Sequence, residues 1–156
     1  MNDIQIMVAG DFCPAGRLRA LWADGSAARR EVAVALAPLT READLFVVNL
    51  ECPLTTATAP IEKCGSLIQG DPAAAGFLAE IGVNLAALAN NHIKDYGEAG
   101  IRETLDACAR VHLPTVGAGT DFPEATRIHY RQIKGRTLAV GNMAEKEFSC
   151  AEPGEG

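Results

Sequence analysis

Short apolar runs alternate with segments of helical periodicity along this 156-residue chain. Continuous apolar runs of about four to eight residues are typical of parallel strands that are buried on both faces of a sheet. The chain has four such predicted strands: Ile4 to Ala9, Leu45 to Val48, the run NLAALA from Asn84, and a short strand in LPTVGAG from Leu113. Predicted helices lie between them, over 27 to 42, within 71 to 82, and over 98 to 110. This alternation predicts an α/β domain with a mostly parallel sheet flanked by helices.

Spacing and capping residues mark the helices and turns. Val32, Leu36 and Leu39 recur at helical spacing in the first helix. Asp71 suits the N-cap of the second helix, and Gly82 suits its end. A loop is predicted at Gly10, directly after the first strand. A hairpin is predicted around 134 and 135, with strands over 128 to 133 and 137 to 141.

The irregular segments and the chain length bear on domain organisation. Residues 52 to 70 form a long segment rich in Pro, Thr and Gly, and a loop of this length in a compact domain is often functional. The length fits one domain, which we place at 1 to 149, with residues 150 to 156 as a disordered tail or truncation point.

Composition excludes several classes of partner. The chain has 14 basic and 20 acidic residues, a net charge of -6, and no basic stripe, so we expect no nucleic-acid surface. The five cysteines are an odd number without metal-knuckle spacing, which favours a reducing, cytoplasmic compartment. No signal peptide and no membrane-spanning run are visible in the sequence.

Polar clusters stand at the ends of three predicted strands: Gly10-Asp11, Asn49-Leu50-Glu51 and Asn90-Asn91-His92. The carboxyl ends of parallel strands meet at one edge of a sheet, where ligands bind. If the three strands are neighbours, five side chains converge there: Asp11, Asn49, Glu51, Asn91 and His92. Carboxylate and amide oxygens with one imidazole suit Mn, Fe, Zn or Mg. Two such ions can clamp the oxygens of a phosphoester, and an imidazole can protonate the leaving group.

Each of these residues also has an ordinary structural interpretation. Asp11 could cap a helix, the asparagines could satisfy turns, and Glu51 could be a solvated loop residue. A lone His92 would more often be structural. The coincidence of three clusters at three strand ends favours the site. His112 and His129 do not belong to a polar cluster at a strand end, and we interpret them as structural or exposed.

Two further observations on the sequence argue against a dinucleotide-binding site and against a serine nucleophile. The turn GAGTDF, from Gly117, has Phe122 where a dinucleotide-binding motif requires its third glycine, so a structural turn is the better interpretation, with Asp121 capping a short helical turn. No G-x-S-x-G nucleophile motif is present.

Several recognisable segments occur in this order: GDFCPAGR, ADLFVVNLECPLT, PIEKCG, LAALANNHIKDYGEAGIRETLDAC, VGAGTDFPEA and NMAEKEFS. Together they resemble the CapA-type family linked to poly-gamma-glutamate capsule biosynthesis, which has a calcineurin-like metallophosphoesterase fold. The resemblance implies half of a metallophosphoesterase-like α/β sandwich. The combination of ANNH, DYG and GAG at these separations is the most specific part.

The resemblance also implies roles for matching residues. Asp11 corresponds to a metal ligand, Glu51 to the bridging carboxylate, and Asn91 to the amide ligand of a motif commonly written G-N-H. His92 corresponds to the histidine near the leaving group. From its spacing, we expect Asp95 to orient His92.

The chain departs from the family pattern in its length. Members usually continue into a second half with histidine motifs of the H-G-x-E and H-x-H kinds, and nothing after Ser149 resembles them. We therefore expect a fragment, a truncated chain or a half-protein, which pairs with a second copy or a second polypeptide. We also expect weak metal binding and little hydrolysis by this chain alone.

Two functions remain open at this point. One is the metal-binding half of a hydrolase that acts on a phosphoester or a related bond. The other is a non-catalytic capsule-assembly module that binds a polyanionic polymer or a partner, although a net charge of -6 gives no attraction for poly-glutamate. A small nucleotide-binding domain is disfavoured by the failed glycine spacing.

Overall fold

The computed structural model describes residues 3–22 and 26–145. Four parallel strands form one sheet in the order of the chain: β1 (Ile6–Phe12), β2 (Leu45–Leu50), β3 (Leu85–Ala87) and β4 (Thr115–Val116). The helices are α1 (Ala27–Thr40), α2 (Ala74–Glu80), α3 (Gly97–Arg110) and the short α4 (Phe122–Ala125), with a 3-10 helix over Gly16–Trp22. An antiparallel hairpin follows, β5 (His129–Ile133) and β6 (Arg136–Val140). The predicted α/β class is confirmed, whereas the predicted tail at 150 to 156 lies outside the described residues.

The main core lies between the sheet and the helices. Phe46, Val48 and Leu50 project from β2 to this side, and Phe77 and Leu78 of α2 pack there. The alternate residues of the central strands face a second cluster under the hairpin, formed by Leu45, Leu85, Val116 and Ile133. Burial on both faces explains why the central strands read as continuous apolar runs.

The predicted loop at Gly10 is wrong. β1 continues through Gly10 to Phe12, and its register with β2 shifts between Ala9 and Asp11. A bulge of this kind re-aims the residues that follow it. The strand extends because Phe12 packs into the main core, in ring contact with Trp22 and Phe77. Asp11 therefore sits within the strand and pairs with Asn49.

Two helical details also differ from the sequence prediction. Asp71 is not the N-cap of α2, because the helix begins at Ala74 and its N-cap is Ala73; the Asp71 side chain instead accepts from Ala73 N (2.9 Å) in the preceding turn. In α1, Val32 and Leu39 remain exposed, while Ala33 and Leu36 contact the core. Periodicity located this helix without identifying its buried face.

The edge strand β1 carries apolar side chains that nothing in the described residues covers. Ile6 and Val8 lie on the face that bears the hairpin cluster, yet Val8 is 72% exposed. An open edge with an apolar face is a surface that proteins usually cover. Pairing with a second copy or another polypeptide stays a prediction, which mass measurement by light scattering would check. Within the described ranges, none of the helices is long and apolar enough to cross a membrane.

Candidate functional site

The ends of β1 and β2 bring two carboxylates onto one amide group. Asn49 Nδ2 donates to Asp11 Oδ1 (2.7 Å) and also to Glu51 Oε2. Asn49 and Glu51 flank the buried Leu50, so strand alternation places both side chains opposite the core. The amide nitrogen thus lies between two acceptors that would otherwise repel each other.

Asn90 connects the third strand end to this group. Its Nδ2 donates to Leu50 O (2.9 Å) and to Asn49 Oδ1 (3.3 Å). Its Oδ1 accepts from His92 N (3.0 Å). The buried Asn90 side chain therefore fixes the turn that presents His92.

A buried ionic cluster lies behind His92. His92 Nδ1 is 2.9 Å from Asp95 Oδ2, and Lys63 Nζ contacts the other oxygen, Asp95 Oδ1. Lys63 and Asp95 side chains are only 2% and 0% exposed, whereas His92 is 16% exposed. Lys63 Nζ also donates to Asn91 O (3.3 Å). The predicted contact between Asp95 and His92 is thus present in the structure.

The long loop over 52 to 70 is held against α3. The buried hydroxyl of Thr104 accepts from Leu54 N (2.9 Å), and Glu103 Oε2 accepts from Thr56 N (2.7 Å) and Thr55 Oγ1 (2.9 Å). The hydrogen bond from Thr56 N, followed by those from the threonine hydroxyls, lowers the pKa of Glu103 below its ordinary value of 4.5. The ionised Glu103 therefore stabilises the folded state fully above pH 4.5, and this stabilisation is lost as the pH falls through the lowered pKa.

Comparison with known proteins identifies the family of this chain. The family model described as bacterial capsule synthesis protein PGA_cap matches residues 5–155. The chain belongs to this capsule synthesis family. The resemblance drawn from the sequence motifs is confirmed at that level.

Curated relatives of this capsule synthesis family are considerably longer than the part they share. A PGA biosynthesis protein CapA of Bacillus subtilis (strain 168) is 30% identical over 105 residues, which are 66% of this chain and 28% of that protein. A probable polyglutamine synthesis accessory protein of Mycobacterium tuberculosis (strain CDC 1551 / Oshkosh) is 34% identical over 120 residues, 76% of this chain and 32% of that protein. A capsule biosynthesis protein CapA of Bacillus anthracis is 38% identical over 61 residues, 39% of this chain and 15% of that protein. The aligned stretch is less than a third of each relative.

The residues singled out from the sequence of this member of the capsule synthesis family fall into two linked groups. Asp11, Asn49 and Glu51 are directly hydrogen-bonded, and His92 is bonded to Asp95. Asn91 lies between the groups along the chain, and its backbone carbonyl contacts Lys63. Sequence reasoning missed two residues of the site, the linking Asn90 and the buried Lys63; the only sign of Lys63 was its place in the motif PIEKCG.

The donor set fits a divalent cation in part. Two carboxylates facing one partially positive amide group form a place where a cation would be favoured, and oxygen donors suit Mg or Mn. Asn49 turns its nitrogen, not its oxygen, towards them, so it could act as a ligand only after its amide rotates. Among the residues that the structure describes, no three His, Cys, Asp or Glu side chains are placed to hold a metal ion.

The buried thiol of Cys52 is a poor candidate for a further metal ligand. Burial, followed by the nearby Cys13, raises the pKa of Cys52 far above its usual range. Cys52 is therefore a protonated thiol at neutral pH, and metals bind the thiolate. The prediction of a site with oxygen and nitrogen ligands therefore does not include the Cys52 thiolate.

The GAG turn packs closely against Asn142. Gly117 has φ +94°, and a Cβ there would lie 2.3 Å from Asn142 Oδ1, which accepts from Ala89 N (2.6 Å). Asp121 caps α4 by accepting from Glu124 N (2.7 Å). The turn borders a cavity of about 290 Å³ that Asn90 and Lys94 also line.

Proposed function

We propose that the crevice at the strand ends is the metal-binding part of a phosphoesterase-type hydrolase site used in capsule or poly-gamma-glutamate biosynthesis. The observation that carries this proposal is the sharing of one Asn49 amide by Asp11 and Glu51, with His92 joined to the same group through Asn90. Family membership supports the biosynthetic setting.

The chain's own residues would divide the work between two tasks. Asp11 and Glu51 would hold a divalent ion such as Mn, Fe, Zn or Mg, with the amides of Asn49 and Asn91 as further oxygen ligands. A bound ion of this kind stabilises the charge that develops on phosphoryl oxygens. His92, oriented by Asp95, would give a proton to the leaving oxygen.

This half-site explains why we expect weak metal binding and little hydrolysis by the chain alone. Two carboxylates and two amides leave most of a two-metal site without ligands, and metal affinity depends on ligand number and charge. A second copy, a second polypeptide or a C-terminal half would supply the rest. Brisk manganese-dependent hydrolysis of a simple phosphodiester by this chain would contradict that expectation.

The alternative is a non-catalytic module that binds a polymer or a partner in capsule assembly. It is favoured by the lack, within the described residues, of three converging His, Cys, Asp or Glu side chains. The net charge of -6 opposes binding of a polyanion.

Metal content separates these two functions. After equilibrium with Mn²⁺, we expect Glu51→Ala to lose most of the bound metal, because it removes one of two charged ligands, while His92→Ala keeps it. Glu98→Ala is the matched control, since it removes an exposed carboxylate of α3. Elemental analysis, with circular dichroism to confirm folding, gives the result. Unchanged metal content in the Glu51 variant would favour the non-catalytic module.

A further inference from the structure

Lys63 is a buried lysine in the middle of a loop, a position with a high cost unless its charge is matched. Its side chain is 2% exposed. It contacts Asp95 Oδ1, lies 3.3 Å from Asn91 O, and lies 3.3 Å from His92 Nδ1. The Lys63 ammonium group therefore contacts Asn91, His92 and Asp95, the three residues of this segment that the proposed function uses.

Backbone bonds on both sides of Lys63 hold it in place. Ile61 N donates to Asp95 O (2.9 Å), and Ile68 N donates to Asp95 Oδ2 (2.8 Å). The loop is thus bonded twice to the residue that Lys63 neutralises. The path of the loop therefore fixes the position of the Lys63 ammonium group, whose side chain is buried and is not a mobile surface side chain.

These contacts determine where the proton of a neutral His92 must sit. Asp95 Oδ1 is engaged by Lys63, and Asp95 Oδ2 already accepts from Ile68 N, so the carboxylate acts purely as an acceptor. A carboxylate oxygen 2.9 Å from Nδ1 is favourable only if Nδ1 carries hydrogen. The reverse arrangement, with Lys63 donating to a bare Nδ1, would set the carboxylate oxygen against a lone pair.

We propose that Lys63 is a positioning residue that acts through Asp95 to hold the His92 proton on Nδ1 and leave Nε2 as the lone-pair nitrogen presented to the crevice. The assignment refines the role of His92 and rests on the proposed function for its use in catalysis. Neutral His92 then accepts a proton or binds a metal ion through Nε2. It donates to a leaving group only after it has taken up a second proton.

Nitrogen NMR of the imidazole rings tests this in the metal-free chain without any substrate. The pH is raised until the His92 signals stop changing, so that the ring is neutral, and we then expect a protonated Nδ1 and an unprotonated Nε2. His92→Gln assigns the signals among the three histidines. A neutral His92 ring with its proton on Nε2 in the unmodified chain would overturn the proposal, whatever the outcome of metal or hydrolysis assays.

The variant Lys63→Met tests the part played by the lysine. Without the ammonium group, Asp95 Oδ1 loses the partner that fixes it and the carboxylate is oriented less firmly towards Nδ1, so the Nε2-protonated form should grow until both tautomers are populated. Lys134→Met is the matched control, because it removes a lysine that pairs with Asp44 (2.6 Å) at the hairpin turn. It should leave the His92 signals unchanged. A folded Lys63→Met chain that keeps the single Nδ1-protonated form would contradict the assignment, and if this variant does not fold, the spectrum of the unmodified chain still decides the tautomer.

Discussion

Replacing Asp95 by alanine is expected to lower the free energy of unfolding by about 3–5 kcal/mol, the cost of leaving a buried charge without its partner. Asp95 is fully buried and contacts Lys63, His92 and Ile68 N. Its removal would strand the Lys63 ammonium in a site with almost no access to water. Urea denaturation followed by circular dichroism measures the effect.

Two further variants separate the charge effect from general damage. Glu98→Ala removes an exposed partner of Arg102 on the same helix and should change stability by less than about 0.5 kcal/mol. Adding Lys63→Met to Asp95→Ala removes the stranded charge, so it should recover part of the lost stability. If Asp95→Ala unfolded no more easily than Glu98→Ala, the buried cluster would not have the role described above.

Leu50→Ala is expected to cost about 2–5 kcal/mol, as for other fully buried leucines. Leu50 is 0% exposed, lies in the main core, and its carbonyl accepts from Asn90. Its neighbours in sequence are two site residues: Asn49 of β2, and Glu51, which directly follows the strand. We therefore expect the variant to weaken metal binding as well as the fold.

The matched control for Leu50→Ala is Val8→Ala, which trims an exposed aliphatic side chain of β1 and should change stability by less than about 0.5 kcal/mol. Both variants can be compared by their denaturation midpoints at constant slope. Equal effects at the two positions would mean that Leu50 does not anchor the strand end.

Much of the arrangement followed from local pattern. The apolar runs predicted the strands, and the polar clusters at three strand ends predicted side chains that converge if those strands are neighbours. The register of β1 was harder to predict, because the bulge at Gly10 depends on the packing of Phe12 against residues distant in sequence.

The interior of the site depended on tertiary contacts. The conformation of the turn after β3 determines which asparagine of the NNH segment faces β2. In the structure it is Asn90, whose side chain donates to Asn49 and to Leu50 O. Lys63 belongs to a loop without periodicity, so no sequence pattern could show that it folds onto Asp95 across 32 positions. Its burial becomes understandable only once the partner carboxylate is known.

The central claim is that three strand ends form one metal crevice, and manganese broadening of NMR signals tests it most directly. Mn²⁺ is paramagnetic and broadens nearby nuclei, so a small fraction of one equivalent is added to the ¹⁵N-labelled chain. We expect the Asn49 side-chain amide and the backbone amides of Asp11, Glu51 and His92 to broaden together, while Thr137 of the hairpin stays sharp. Broadening at only one strand end, or only at exposed acidic residues such as Glu98, would contradict the claim.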